Sequence, residues 1–578
     1  MKTIIGINAY HGDSSACIIK NGILIAAVEE ERFNRIKHWA GFPVKSIEYC
    51  LERAGIDIEG VDVIAINHDP SANFWRKLSY IFTGHINLKM LLSKLMVRKK
   101  KNSILDEFFI AFPGKKILAS IEYIEHHKAH LASTFLASPF GDSVVVSVDG
   151  FGDFASTTWG VGKDTQVFID GQIYFPHSLG IFYQAITQFL GFPNYGDEYK
   201  VMGLASYGEP VFMKEMEDIL KISSNGEFKL SLKYFSHHNT NIKYTWKDCS
   251  PSVGKLYSDE LLKLLGVERS AGEKVSQRHM DIAASAQRIY EKALFNLLNA
   301  LHNKYQIDYL ALAGGCAMNS VANGKIYANT PFKKLYIQPS SGDAGGAFGA
   351  AATVAVNNGS GKIPMKHAYW GPEYTDVYIG EVLKSFNDEI RDNKCDLNLL
   401  DDENLYQGIA KKISEGKIIG WFQGGMEWGP RALGNRSILA DPRSPNIKQI
   451  LNEKIKRRES FRPFAPSVLA EESRKWFSID DNVPFMGQVS KVLEDKRKII
   501  PAVTHIDGTG RLQTVDKLTN NRFYNLINAF KLITNIPMLL NTSFNENEPI
   551  VCTPEQAINC FLRTKMDVLV LGNWVVTR

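Results

Sequence analysis

The stretch EYIEHHKAHLAS, residues 122–133, holds three of the chain's fourteen histidines within five positions. On an α-helix, residues four apart share a face, so His126 and His130 point the same way and His127 points elsewhere. That spacing suits a divalent metal ion. It also suits an ordinary pair of surface or hydrogen-bonded histidines, and spacing by itself leaves both open. The other half of the chain spells a different chemistry. GWFQGGMEWGPRALGNRSILADPR carries Arg431 and Arg436 on a Gly-rich, helix-opening segment, and NEKIKRRESFRPFAPSVL carries Lys456 and Arg462. THIDGTGRLQTV carries Arg511, and LLNTSFNENEPIV carries Asn541 and Ser543. Guanidinium forks on glycine-bordered turns hold phosphates bidentately. Arg431, Arg462 and Arg511 sit among Gly, Pro, Phe and Leu rather than among other charges, which favours an anion pocket over a solvated basic face.

Such groups need a scaffold, and two segments share one plan. IIGINAYHGDSSACIIKNGILIAAVEEERF reads as a strand over Ile4–Asn8, a polar turn, a strand through Cys17–Ile19, an Asn21-Gly22 hairpin and a third strand. VVVSVDGFGDFASTTWGVGKDTQVFIDGQIYF repeats the plan, with an Asp-Gly-Phe-Gly-Asp turn and a closing hairpin at Asp170-Gly171. A repeated strand-turn-strand-hairpin predicts two similar α/β halves whose polar turns meet at a cleft. The strand DYLALAGG runs into Gly314-Gly315, and QPSSGDAGGAFGAA places a Ser-Ser-Gly-Asp turn before a small-residue helix. Turns of this kind after apolar strands line nucleotide clefts with backbone amides. Composition loosens around residues 360–375, which predicts domains 1–365 and 366–578. Residues 74–112 are aromatic and basic, with the run Arg98 to Lys101, and read as an amphipathic helical insertion packed on its own domain.

A chain of 578 residues with 44% hydrophobic and 22% charged residues exceeds one ordinary core and is not disordered or fibrous. A net charge of +5 is too small at this size to indicate bulk nucleic-acid binding. The seven cysteines, at 17, 50, 249, 316, 395, 552 and 560, show no Cys-x2-Cys spacing and read as reduced thiols. The opening MKTIIGINAY is interrupted by Asn8 and His11 before a signal-peptide core forms, and no run of eighteen apolar residues follows, so the expected address is the cytoplasm.

Over nearly its whole length the chain resembles the O-carbamoyltransferases that decorate nodulation factors, cephems, aminoglycosides and ansamycins. The motifs that carry the resemblance are HGDSSA, EEERFNRIKH, HHKAHLAST, SVDGFGD, EYKVMGLASYG, AGGCAMN, SSGDAGGA, GPRALGNRS, FRPFAP, DGTGRLQTV and NTSFN. The resemblance implies a duplicated N-terminal domain of the actin, sugar-kinase and Hsp70 superfold, related to the ATPase that makes threonylcarbamoyl-modified tRNA, and a C-terminal α/β domain like YrdC. It implies a metal, usually iron, on His126, His130, Asp149 and Asp343, with His127 left to a supporting or solvent-facing role. Two imidazoles and two carboxylates suit Fe, Mn or Zn without selecting among them.

The same resemblance implies carbamoyl phosphate as donor, bound by Lys37, Arg431, Lys456, Arg462, Arg511, Asn541 and Ser543. ATP, with Mg, would be bound by His130, Asp149, Gly314, Gly315, Asn319, Arg431, Arg462, Arg511 and Asn541. Carbamate attacking the α-phosphate would give carbamoyl adenylate, from which a hydroxyl of a small molecule or glycan takes the carbamoyl group. His11 or Asp13 is the candidate for holding or deprotonating that hydroxyl, although the turn here, His-Gly-Asp-Ser-Ser, is one residue longer than the family's His-Asp-Ser-Ser. Lys37, Arg431 and Arg462 complete the candidate catalytic set, and family members are often homodimers.

A plain ATPase or sugar kinase of the actin-like superfold is the alternative, and it leaves the arginines of the second half unexplained. Hydrogenase-maturation relatives carry zinc-finger cysteines and a YrdC-like domain ahead of the ATPase domain, and this chain shows neither. The tRNA-modifying ATPase has its YrdC partner as a separate protein. A non-catalytic scaffold would have lost pocket residues that are all present here. Acceptor contacts are expected from segments 74–112 and 220–265.

Overall fold

Runs of Ile, Val and Ala with little polar interruption build strands covered on both faces, as parallel layers require. In the computed structural model β1 (Thr3–Asn8), β2 (Ser15–Lys20), β3 (Ile23–Glu29) and β4 (Val63–Ile66) are of this kind, and with the more exposed edge strand β5 (Ser120–Tyr123) they form a sheet in the order β3-β2-β1-β4-β5. The structure describes residues 2–82, 104–240, 242, 244–245, 251–459, 461–479 and 481–578. β1 runs antiparallel to β2 and parallel to β4, and β4 runs parallel to β5. A second sheet repeats this with β6 (Asp142–Gly152), β7 (Ala155–Lys163), β8 (Gln166–Tyr174), β9 (Tyr309–Ala313) and β10 (Lys334–Tyr336), in the order β10-β9-β6-β7-β8. Strand order and directions coincide in the two sheets. This is the duplicated layout of the actin-like sugar-kinase fold.

The Asn21-Gly22 hairpin forms as expected, with both residues at positive φ. The second hairpin does not close at Asp170-Gly171. β7 turns at Asp164, which takes the left-handed conformation at φ 53°, and Gly171 lies within β8 opposite Trp159. A side chain at Gly171 would start 2.3 Å from the Trp159 indole, so that glycine answers a close approach rather than a turn.

Among the helices that pack against these sheets are α1 (Val44–Ala54), α2 (His126–Phe135), α3 (Gln277–Tyr305) and α4 (Asp343–Asn357). The sequence of α4, DAGGAFGAAATVAVN, is buried from Ala344 to Val356. Its small residues let backbones meet: a Cβ on Gly349 would lie 1.8 Å from the Ala129 carbonyl oxygen of α2. α4 therefore approaches α2 more closely than larger side chains permit. Of the expected 74–112 insertion, helices Phe74–Phe82 and Ile104–Ala111 are described, and the Arg98–Lys101 run lies outside the described residues.

The chain divides into two compact units, one of Met1–Glu31 with Ile36–Met365 and the other of Arg32–Arg35 with Lys366–Arg578. The second is α/β, built on an eight-stranded mixed sheet. Its strands are β11 (Asp396–Leu399), β12 (Ile419–Phe422), β13 (Arg436–Ala440), β14 (Ala465–Leu469), β16 (Gln513–Val515), β17 (Met538–Ser543), β18 (Val568–Leu571) and β19 (Trp574–Thr577), and the short β15 (Thr509–Arg511) pairs outside it. The order is β11-β19-β18-β12-β13-β17-β14-β16. Trp421, Phe422, Leu439, Val468, Leu540 and Val570 from its strands are all almost fully buried in one core. No helix among the described residues is long and apolar enough to cross a membrane.

Candidate functional site

His126 opens α2 and His130 follows one turn later, so helical winding aims both rings at one point. Asp149 comes from the irregular end of β6, and Asp343 is the first residue of α4, brought in by the tight α2–α4 packing. The Nε2 atoms of the two histidines are 3.0 Å apart. Asp149 Oδ2 lies 3.3 Å from His126 Nε2 and 3.4 Å from His130 Nε2, and Asp343 Oδ1 lies 3.5 and 3.4 Å from the same atoms. Ligands about 2.1 Å from a common ion sit about 3.0–3.4 Å from one another, so these separations match the edges of a coordination polyhedron. Both Nδ1 atoms are buried without a hydrogen bond among the described residues, leaving Nε2 as the working nitrogen. Burial opposes charge on the imidazoles, but the two carboxylates outweigh it and raise both histidines. In return Asp149 is held well below the usual carboxylate range and Asp343 falls to about 2. Packing around the cluster is tight: a Cβ on Gly152 would lie 1.9 Å from the His126 ring.

His127 turns the opposite way and is fully buried, with Nδ1 3.0 Å from Ser147 Oγ of β6. Burial and the flanking imidazoles push it down to about 3, so it is neutral. His11, on the first polar turn, places its ring 5.0 Å from that of His126, and burial beside His126 and His68 pushes it down to about 4. Gly314 and Gly315 follow β9 and pack directly on Asp149, whose Oδ1 accepts the Gly315 N–H at 2.9 Å. A side chain at Gly314, φ 87°, would start 2.3 Å from the Val148 carbonyl oxygen. Asn319 exchanges amide hydrogen bonds with Gln287 of α3 at 3.0 and 3.2 Å.

Asp13 pairs with His38 Nδ1 at 2.7 Å, and Lys37 beside it is half-buried. Burial works against charge on His38, but Asp13 and Glu31 outweigh it and lift the imidazole to about 9. A raised histidine stabilises the fold fully below its unfolded value of about 6.5, and that contribution disappears as pH rises through the folded value. Asp13→Asn is therefore expected to cost about 1 kcal/mol near neutral pH, with the gap from wild type closing above pH 9, as read by denaturant unfolding across pH.

In the second unit the Gly429–Arg436 loop is pinned from several sides. Glu427 Oε1 accepts the backbone N–H groups of Leu433, Asn435 and Arg436 at 2.7, 2.8 and 3.2 Å. The Leu433 carbonyl accepts from Gln513 and Tyr369, and Asn541 Nδ2 donates to the Ala432 carbonyl at 3.2 Å. Arg431 is carried on this fixed loop. Burial, followed by the neighbouring cations Arg431 and Arg458, pushes the Arg511 guanidinium well below its usual range. Arg462 pairs with Glu459 at 2.9 Å. Lys456, 1% exposed, donates to Ser543 and Asn545, with Asn545 Oδ1 at 2.6 Å. Arg436 is buried over the Phe422 ring and donates to backbone carbonyls of Gln423 and Pro372.

Four residues at these two places escape a reading of the sequence: His38, His68, Asp153 and Arg458. Arg458 is hidden in the Lys456-Arg457-Arg458 run, which looks like a solvated face. His38 closes the motif EEERFNRIKH, and Asp153 closes the Asp-Gly-Phe-Gly-Asp turn, so a motif marks the neighbourhood of each without marking the residue. His68 is a lone histidine after a short strand and carries no pattern. Asp153 is held to about 2: burial opposes its charge, and contact with His68 and a backbone N–H outweighs it.

The carbamoyltransferase N-terminus family model matches residues 3–352, and the carbamoyltransferase C-terminus model matches residues 410–578. The uncharacterized protein sll1178 of Synechocystis sp. is 39% identical, covering 100% of this chain and 97% of its own length. Nodulation protein NolNO of Sinorhizobium fredii is 37% identical over 99% of this chain and 80% of its own. Nodulation protein NolO of Bradyrhizobium diazoefficiens is 38% identical over 79% of each. With both family models placed in order along it and relatives matched across most of their length, the chain belongs to the carbamoyltransferase family and is an enzyme of carbamoyl transfer.

Proposed function

We propose that this carbamoyltransferase is ATP-dependent, that carbamoyl phosphate is its donor, and that the acceptor is a hydroxyl of a small molecule or glycan. The observation that carries the reading is the crowding of Arg431 and Arg458 around the half-buried Arg511. Like charges in a low-dielectric pocket repel, and a phosphate dianion turns that repulsion into attraction. Arg431, Arg462 and Arg511 grip the phosphate, while Asn541 fixes the loop bearing Arg431 and Lys456 fixes Ser543 beside it. Water hydrolyses the donor, whose phosphate leaves into this cationic pocket; an oxygen of the carbamate so formed attacks the α-phosphorus of ATP, and pyrophosphate departs.

His126, His130, Asp149 and Asp343 fit a divalent ion of the Fe, Mn or Zn class, and such an ion supplies a Lewis acid for a phosphate or carbonyl oxygen. The Gly314-Gly315 turn offers backbone to the adenylate beside Asp149, and His11 holds the reacting groups next to His126. The relatives named as nodulation proteins are in keeping with a glycan or nodulation-type acceptor. The proposed compartment is the cytoplasm, where ATP is held. The test is incubation with isotopically labelled carbamoyl phosphate, ATP and a panel of hydroxyl-bearing sugars. Gain of one labelled carbamoyl group on a panel member, dependent on ATP, supports the reading; label transfer that ignores ATP removes the adenylate from it.

A further inference from the structure

His68 lies two residues past the end of β4, on the side of the first unit where His11 and the metal-ligand candidates lie. Its Nδ1 is 2.5 Å from Asp153 Oδ1, and its side chain is 43% exposed while that of Asp153 is fully buried. The carboxylate is fixed from behind: Oδ2 accepts the backbone N–H groups of Asp69 and His126 at 2.8 and 2.9 Å. Asn73 Nδ2 donates to the Asp153 carbonyl at 2.9 Å.

The turn that presents Asp153 is costly. Gly152 pairs with Ala155 across a two-residue hairpin loop, and both loop residues, Asp153 and Phe154, have positive φ at 48° and 76°. Such turns favour Asn-Gly or Asp-Gly, and a bulky aromatic at positive φ is an outlier that persists where surrounding structure imposes it.

Nδ1 lies against the buried carboxylate, so a proton held on that nitrogen would leave the Nε2 lone pair for a ligand. No described residue bonds to Nε2. The His68 ring lies 5.7 Å from that of His11, which lies 5.0 Å from that of His126. The other nearby candidates are committed: Asp13 is paired with His38 at 2.7 Å, and His11 is wedged between two imidazoles.

We propose that His68, oriented by Asp153, is the base that takes the proton of the attacking hydroxyl in the transfer step. The acceptor O–H bond breaks as Nε2 takes the proton. The oxygen bonds to the carbamoyl carbon, the bond from that carbon to the phosphate oxygen breaks, and AMP leaves with the electron pair. The half-exposed imidazolium then passes its proton to water. Asp153 is a positioning residue, since it touches His68 and not the reacting atoms. This assignment rests on the adenylate reading above, and the experiment separates the two.

Water serves as a stand-in oxygen nucleophile, so carbamoyl-phosphate-dependent release of AMP without added acceptor reports the step. Hydroxylamine, which needs no base at neutral pH, bypasses it, and ATP–pyrophosphate exchange reports adenylate formation alone. His68→Ala and His68→Gln are expected to slow the water reaction at least about a hundredfold. The hydroxylamine reaction and the exchange stay within about twofold of wild type, and added imidazole restores the water reaction to His68→Ala. Equal loss in all three assays, or no loss in the water reaction, overturns the assignment. Absence of carbamoyl-phosphate-dependent exchange in the wild-type enzyme overturns the adenylate reading itself, and is seen before any variant is made.

Discussion

Replacing Arg511 with methionine is expected to abolish use of carbamoyl phosphate while leaving the fold as stable as before or more so. The half-buried guanidinium lies beside Arg431 and Arg458, so removing it relieves repulsion and the part of its desolvation that burial imposes. A purely structural arginine behaves in the opposite way. Arg436, buried and bonded to backbone carbonyls of Gln423 and Pro372, should destabilise on the same replacement. For Arg511→Met, carbamoyl-phosphate-dependent pyrophosphate release should fall at least about a hundredfold. Inorganic phosphate at millimolar concentration should raise the melting temperature of the wild type and not of the variant. Unchanged pyrophosphate release in the variant would place the phosphate site elsewhere.

The second large effect is expected at His130. Removing its imidazole leaves three of the four candidate ligands, and the metal content of the purified protein, read by elemental mass spectrometry, should fall to a small fraction of that of wild type. Carbamoyl transfer should fall with it by about a thousandfold. His302→Ala provides the control: that histidine sits on α3 paired with Asp308 at 3.2 Å, away from the cluster, and its loss should leave the metal in place. Full metal occupancy in His130→Ala would remove His130 from the ligand set.

How far the sequence reveals these sites differs from residue to residue. His126 and His130 can be seen as a pair because helical winding alone puts them on one face. Asp149 and Asp343 cannot be joined to them by spacing, since they arrive through packing: Asp343 reaches the cluster because Gly349 lets α4 lie against the backbone of α2. Only the family resemblance joins all four in advance. The duplicated sheets are legible in the repeated strand plan, but the hairpin expected at Asp170-Gly171 is misplaced. Turn statistics favour Asp-Gly, whereas here Asp164 supplies the left-handed turn and Gly171 clears the Trp159 ring. The pairing of His68 with Asp153 follows no sequence pattern, because it depends on where a strand end and a hairpin tip meet in space. Lys456 is expected at the phosphate; that its ammonium also bonds Ser543 and Asn545 is a contact no local rule predicts.

The most direct measurement is the product balance of the enzyme given ATP and carbamoyl phosphate without an acceptor. AMP, pyrophosphate and inorganic phosphate are expected in equal amounts, each absent when carbamoyl phosphate is left out. ADP and phosphate appearing at the same rate with or without carbamoyl phosphate would contradict this expectation.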